Sequence, residues 1–198
     1  MEHIPLYNIR VGQYQLLRQI DDNLSVLEKN IYVVAALKDI TYEEASKIRI
    51  SEFNNIVNSL EQIDIDEIEH KKVNNTIYLN GEEYHIEHRP NKLTSGQLLD
   101  IINLRSNHDG EAILIMDLIM AALSRPKGKE YGEDGMTLHE RAKYCREVQI
   151  SEVWNVFVFF WTLWRDYLKD TEDYLQKSTT DWLKKVKQIL ESDGDYSA

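Results

Sequence analysis

Four places in this 198-residue chain carry side chains able to do chemistry. His85 and His88 form an H-x-x-H string, but on a strand that spacing sends the two rings to opposite faces and works against chelation. His108-Asp109 precedes a helix start, where an aspartate near free N–H groups reads as a cap. His139-Glu140 lies on a helix without the second histidine that a zinc protease needs. Cys145, the only cysteine, rules out an intrachain disulfide and a multi-cysteine zinc site. It would act as a nucleophile only beside a positioned base, and none is visible, so a buried helix thiol is expected. Gly128, Gly132 and Gly135 lie in a loop with no preceding strand, which is not a phosphate cradle. No G-x-S-x-G, Walker or Rossmann pattern is present. The expectation is a protein with no catalytic, cofactor or metal residues.

The remaining conspicuous segment is aromatic: VWNVFVFFWTLWRDY, residues 153–167. On a helix Trp154, Phe157, Trp161 and Trp164 fall on one side, and Val153, Val156, Phe160 and Tyr167 on another. A single helix in a chain this short cannot easily bury aromatics on every side, and interfaces favour tryptophan and phenylalanine. Trp154, Phe157, Phe160, Trp161 and Trp164 are therefore the candidate partner-binding residues, with exposure expected around Trp161 and Trp164.

The elements that would position these residues are mostly helical. Leu24, Leu27, Ile31, Val34 and Ala35 share a face over 22–38. Thr41 and Glu44 form a capping box before a short helix, 42–48. Ser51 is expected to cap the next helix, with Phe53, Ile56, Val57 and Leu60 as its buried stripe. IDIDEIEHKK (63–72) reads as a connector. Asn80-Gly81 suits a type I′ turn and predicts a hairpin over 76–87, pairing Leu79 with Glu82 and Ile77 with Tyr84. That register puts Ile77, Leu79, Tyr84 and Ile86 on one face. Thr94 or Ser95 starts a helix to about Leu104, and 111–123 is apolar nearly all round, as in a central core helix. Residues 126–136 are expected as the longest loop, followed by helices at 137–147 and 151–169. A last amphipathic helix carries Trp182, Val186, Ile189 and Leu190.

The halves also resemble each other. VGQYQLL (11–17) matches SGQLLDI (95–101), AAL at 35–37 recurs at 121–123, and RISEFNNIV (49–57) matches QISEVWNVF (149–157). Two readings fit: a duplication, or two independently capped helices. Under the first, 125–136 is an insertion in the second copy. The fold class is thus mainly α, two helical units separated by one β-hairpin. Residues 1–66 form the first unit, 67–90 the connector and hairpin, 91–191 the second unit, and 192–198 a tail.

The net charge of −11, from 34 acidic and 23 basic side chains, argues against nucleic acid as a partner. The one basic cluster, Lys184, Lys185 and Lys187, reads as a solvated helix face. The start of the chain lacks the pattern of a signal peptide. The most apolar run, 153–164, is too short for a bilayer, so no membrane role is expected.

The order of motifs in the first half is similar to that of tail assembly chaperones and related small virion or assembly proteins of tailed bacteriophages. The residues carrying this are a polar lead-in ending VGQY (11–14), NIYVVAALKDIT (30–41) and EEASKIRISEFNNIVNSL (43–60). LTSGQLLDI, SRP and VFVFF in the second half resemble small virion proteins of phages that infect gut bacteria. The resemblance covers about two thirds of the chain and leaves the hairpin unplaced. It implies a structural role without chemistry: binding other phage structural proteins, or copies of itself, in the virion or host cytoplasm. An acidic adaptor for a host protein is the alternative, followed by an enzyme using His139, Glu140 and Cys145.

Overall fold

The computed structural model describes residues 9–60, 75–107 and 112–164. The connector at 63–72, His108-Asp109, the lysine cluster, the helix expected around Trp182 and the tail lie outside them. The chain is mainly α-helical, with a small three-stranded antiparallel sheet between helical parts. One compact unit runs to Phe159 and a second begins at Phe160.

The first half contains α1 (Val11–Arg18), α2 (Val26–Lys38), α3 (Tyr42–Ala45) and α4 (Ile50–Leu60). The periodic pattern alone did not anticipate α1, because its buried residues are Val11, Gly12, Gln13 and Gln15. Two of those side chains are amides, and a polar reading of VGQYQ follows unless their distant acceptors are known. α2 begins at Val26, later than expected, because Ser25 and Glu28 form a capping box there. Leu27 is consequently 59% exposed, so the inward stripe starts only at Ile31. The Thr41–Glu44 box holds as read. Ser51 does not cap α4. The helix already begins at Ile50, and Phe53 N–H donates to the Arg49 carbonyl, which puts Ser51 inside the first turn. Val34, Ala35, Ala45, Phe53 and Ile56 make the core of this half.

The hairpin follows as β1 (Thr76–Leu79) and β2 (Glu82–Ile86), with Leu79 opposite Glu82 and Ile77 opposite Tyr84. Asn80 and Gly81 have φ of 50° and 80°, the positive values a type I′ turn requires. Ile77, Leu79, Tyr84 and Ile86 are all buried, while Tyr78 faces out. A third strand was not expected. β3 (Ser124–Pro126) pairs with β2, Ile86 opposite Ser124, at the start of what reads as loop. It is three residues long and ends on a proline, so no alternating pattern marks it.

The second half contains α5 (Ser95–Asn107), a 3₁₀ turn (Ala112–Ile115), α6 (Met116–Leu123), α7 (Leu138–Cys145) and α8, described over 150–164. Met116, Ile119, Met120, Ala121, Ala122 and Leu123 are all buried in α6, as expected of a central helix. It packs against α1, α5 and α7. Helix α8 starts at Ile150, so Ser151, like Ser51, sits in the first turn.

The two halves share local devices, in which matched residues do matched jobs. In the first, Gln13 Oε1 accepts from the Arg10 N–H at 3.0 Å and Nε2 donates to the Leu37 carbonyl at 3.0 Å. In the second, Gln97 Oε1 accepts from the Thr94 N–H at 3.1 Å and Nε2 donates to the Ala122 and Leu123 carbonyls, each at 3.1 Å. Both glutamines begin a G-Q helix and end on the AAL carbonyls of the next helix. Each AAL helix then leads to a Thr-x-x-Glu capping box, Thr41–Glu44 and Thr137–Glu140. From Ala45 and Cys145 onward the correspondence has a constant offset of one hundred. The turns close alike: Ile48 N–H donates to the Ala45 carbonyl at 3.1 Å and Val148 N–H to the Cys145 carbonyl at 3.2 Å. Independently capped helices would not share a helix order and a side-chain-to-carbonyl tie. The second half differs by residues 124–136, which carry β3 and a loop where the first has only residues 38–40, and by a helix α7 one turn longer than α3.

Candidate functional site

Of the three residues that an enzyme would use, Glu140 and Cys145 are engaged in structure and His139 is exposed. Glu140 accepts from the Thr137 N–H and hydroxyl, each at 2.8 Å, so its carboxylate closes the α7 capping box. Those hydrogen bonds hold its pKa below the usual glutamate value. Cys145 is buried, and burial, with the Asp117 carboxylate adding to it, pushes its thiol up to about 12. A thiol held protonated at neutral pH is a poor nucleophile. His85 lies on β2 with Nε2 4.0 Å from Glu87. His88 lies beyond the strand end, where alternation no longer governs it, and sets its ring edge-on to Phe159 at 5.3 Å. Burial lowers the His88 pKa. Among the described residues no group of three or more histidine, cysteine or acidic side chains is placed to hold a metal ion.

One polar cluster is built to high precision and escaped pattern reading. The Arg141 guanidinium, 1% exposed, donates through Nε and Nη2 to the two oxygens of Asp134 at 2.9 and 2.8 Å. Its Nη1 donates to the Ala121 carbonyl at 3.1 Å, and its carbon lies 5.0 Å from the centre of the Tyr131 ring. Tyr84 from β2 donates to Asp134 at 3.1 Å, and Tyr131 donates to Asp100 at 2.6 Å. Burial would raise the Asp134 carboxyl, but the Arg141 bonds, the Met136 N–H and the Tyr84 hydroxyl hold it below its ordinary value. Burial pushes the Tyr84 hydroxyl up to about 12, and the Asp134 charge adds to that. A fork-on-fork pair with a further bond to the Ala121 carbonyl is an anchor: it fastens the inserted loop to α7, α6 and the hairpin. The available signal was Asp134 between Gly132 and Gly135, both at positive φ, in a loop that bends back on itself.

Helix α8 distributes its aromatics differently from the expectation. Ile150, Val153, Val156, Phe157, Phe160 and Trp164 are the buried positions, at spacings of three, three, one, three and four. This stripe runs between the two faces drawn from the sequence and takes residues from each. Trp164 is 1% exposed, so the exposure expected around it is absent; its ring stacks on Phe160 with centroids 5.7 Å apart. Trp154 is half-buried, with its ring edge-on to Tyr14 at 5.7 Å, and Trp161 is also half-buried. The outward residues are Val158 and Phe159.

The repeat exposes a different candidate. A groove of about 720 Å³ opens along α1 and α2 in the first half, lined by Leu16, Ile20, Leu24, Tyr32, Ile40 and Tyr42 among others. Leu16 and Tyr32 are 43% and 42% exposed on it, and the Tyr32 and Tyr42 rings lie 4.7 Å apart. In the second half the positions matching Gly12 and Leu16 are Gly96 and Asp100. Tyr131 of the inserted loop lies against Gly96, where an added Cβ would sit 3.4 Å from the ring, and it bonds Asp100. Tyr131 therefore engages Asp100, the match of the exposed groove residue Leu16, while Gly12, the match of Gly96, packs against Arg146 instead.

No protein-family model, curated protein or solved structure matches this chain.

Proposed function

We propose that this chain is a non-enzymatic bacteriophage virion or tail-assembly protein that binds other phage structural proteins, or copies of itself, through helical surfaces, in the virion or host cytoplasm. The open groove of the first repeat carries the reading. It is apolar and tyrosine-lined, with Leu16 and Tyr32 exposed on it, whereas Asp100, the match of Leu16, is engaged by Tyr131 of the chain itself. An apolar concavity rimmed by polar groups such as Gln19, Asp21 and Asp39 is the usual form of a site for a helix or loop of another protein. The engagement of Glu140 and Cys145 in structure counts against the enzyme alternative. Among the described residues no helix is long and apolar enough to cross a membrane.

Cosedimentation of the purified chain with phage particles or tail intermediates tests the reading. Tyr32→Ala should weaken it by on the order of 2 kcal/mol, the size of a truncated hot spot, and leave the isolated chain folded. Unchanged cosedimentation of both Tyr32→Ala and Leu16→Asp would remove the groove from the function. Failure of the native chain to associate with any particle component would remove the assembly role.

A further inference from the structure

The repeat identifies a second contact surface, independent of the groove and of the assembly reading. At the start of α1 the backbone is stitched onto the turn between α7 and α8. Ile150 N–H donates to the Ile9 carbonyl at 2.8 Å, Val11 N–H to the Val148 carbonyl at 2.9 Å and Gly12 N–H to the Arg146 carbonyl at 3.0 Å. Ile9, Val11 and Ile150 are all buried there. Arg10, between the two apolar residues, pairs with Glu147. Gly12 is required by the close approach, since an added Cβ would lie 3.2 Å from Arg146 side-chain atoms. The segment is thus a short extended plug of pattern apolar, basic, apolar, glycine, and the turn is its socket.

One hundred residues earlier the same socket exists without a plug. The turn between α3 and α4 closes with matching bonds, Lys47 N–H to the Glu44 carbonyl at 3.1 Å and Glu147 N–H to the Tyr144 carbonyl at 3.1 Å. Ser46, Ile48 and Ile50 stand where Arg146, Val148 and Ile150 stand. Among the described residues no backbone group bonds the Ile48 carbonyl or the Ile50 N–H. Ile50 is 67% exposed, against 1% for Ile150. The charges differ: Lys47 replaces the acidic Glu147, and Arg49 replaces the neutral Gln149.

We propose that the Ser46–Ile50 turn docks an extended segment of a partner protein, of pattern apolar, acidic, apolar, glycine at the start of a helix. The backbone bonds follow those already made by Ile9, Val11 and Gly12, in the manner of an added strand. The acidic residue takes the place of Arg10 because it faces Lys47 and Arg49. A second copy of this chain is disfavoured as the occupant, because its own Ile9–Gly12 segment is seated and its Arg10 would meet two cations.

The test uses the full chain and two labelled peptides copying residues 8–18, one carrying Arg10→Glu and one with the native sequence. Fluorescence anisotropy should show saturable binding of the Arg10→Glu peptide, with the native peptide weaker by roughly tenfold or more. Ile50→Asp in the chain, a change at an exposed position, should abolish binding and leave the circular dichroism spectrum unchanged. Lys47→Glu should reverse the preference between the peptides. Absence of saturable binding by the Arg10→Glu peptide, or binding indifferent to Ile50→Asp, would overturn the proposal. Tighter binding of the native peptide would overturn the choice of occupant and assign the socket to a second copy. None of these outcomes depends on whether the chain associates with phage particles.

Discussion

Asp134 shows how much a single buried side chain holds in place. Among the described residues it is the sole carboxylate on the Arg141 fork, and both side chains are almost fully buried. Asp134→Asn leaves a guanidinium in the interior without its counter-charge, and should destabilise the fold by about 3–5 kcal/mol in urea titrations at pH 7. The pH dependence follows from the direction of the shift. The folded carboxyl titrates below the ordinary value of 3.8, so its contribution is complete above that value and fades as pH falls through the lower, folded one. The native chain should lose stability on acidification below about pH 4, and Asp134→Asn should flatten that part of the curve. A variant with an unaltered acid limb would show that other carboxylates dominate it. Cys145 gives the complementary case. With its thiol buried and raised to about 12, it should resist an aromatic disulfide reagent at pH 8 in the native chain and react fully in urea. Rapid reaction of the folded chain would reopen the enzyme alternative.

The glutamine tie is the device that distinguishes an element from its neighbours here. Gln13 and Gln97 each fix the start of one helix against the end of the next, and each is buried with both amide ends used. Gln97→Leu leaves its former backbone partners without that donor, and should cost about 1–3 kcal/mol. Gln13→Leu should act in the same direction, and thermal melts of the pair test whether the tie works in both repeats. If only one variant is destabilised, the device belongs to one half alone. Local chemistry made some elements readable from their residues. Asn80-Gly81 set the hairpin and its register, and Thr41 and the Thr94-Ser95 pair marked helix starts, because each acts within a few residues of itself. Gly81→Ala, at a φ of 80°, should cost about 1–2 kcal/mol for the same local reason. Elements decided at long range were not readable. α1 has polar buried residues because Gln15 reaches the Asp117 carboxylate at 2.8 Å and the Leu114 carbonyl at 3.1 Å, about a hundred residues away. β3 exists because β2 offers it an edge. Ser51 and Ser151 resembled caps, yet in both repeats the helix starts one residue earlier.

At the scale of the molecule, repetition with unequal decoration is the organising fact. The three short sequence matches were legible; that they coincide with matched caps, ties and turns was not, because that requires the carbonyls they reach. The candidate site moved accordingly, from the aromatics of α8 to surfaces that one repeat covers and the other leaves open. Phe157→Ala should now cost about 3–5 kcal/mol of folding stability, as large-to-small changes in a core do. Phe159→Ala, two residues on and facing out, should change it by less than about 0.5 kcal/mol. If Phe157→Ala instead unfolds at the native urea midpoint and loses only particle binding, the α8 stripe is the interface after all.

The stitching of Ile9–Gly12 to the α7–α8 turn also sets an order of events on the ribosome. The backbone groups of Ile9, Val11 and Gly12 bond partners at residues 146–150, so those bonds cannot form until most of the polypeptide has been made. At translation rates of about 5–20 residues per second, that wait lasts on the order of ten to thirty seconds, during which Ile9 and Val11 are accessible to chaperones and proteases. Nascent chains arrested after residue 120 should therefore be cleaved near Arg10 by trypsin. Chains released at full length should be protected there. Protection already present at residue 120 would mean that the first repeat finds a different resting place for its leading segment before its permanent one is synthesised.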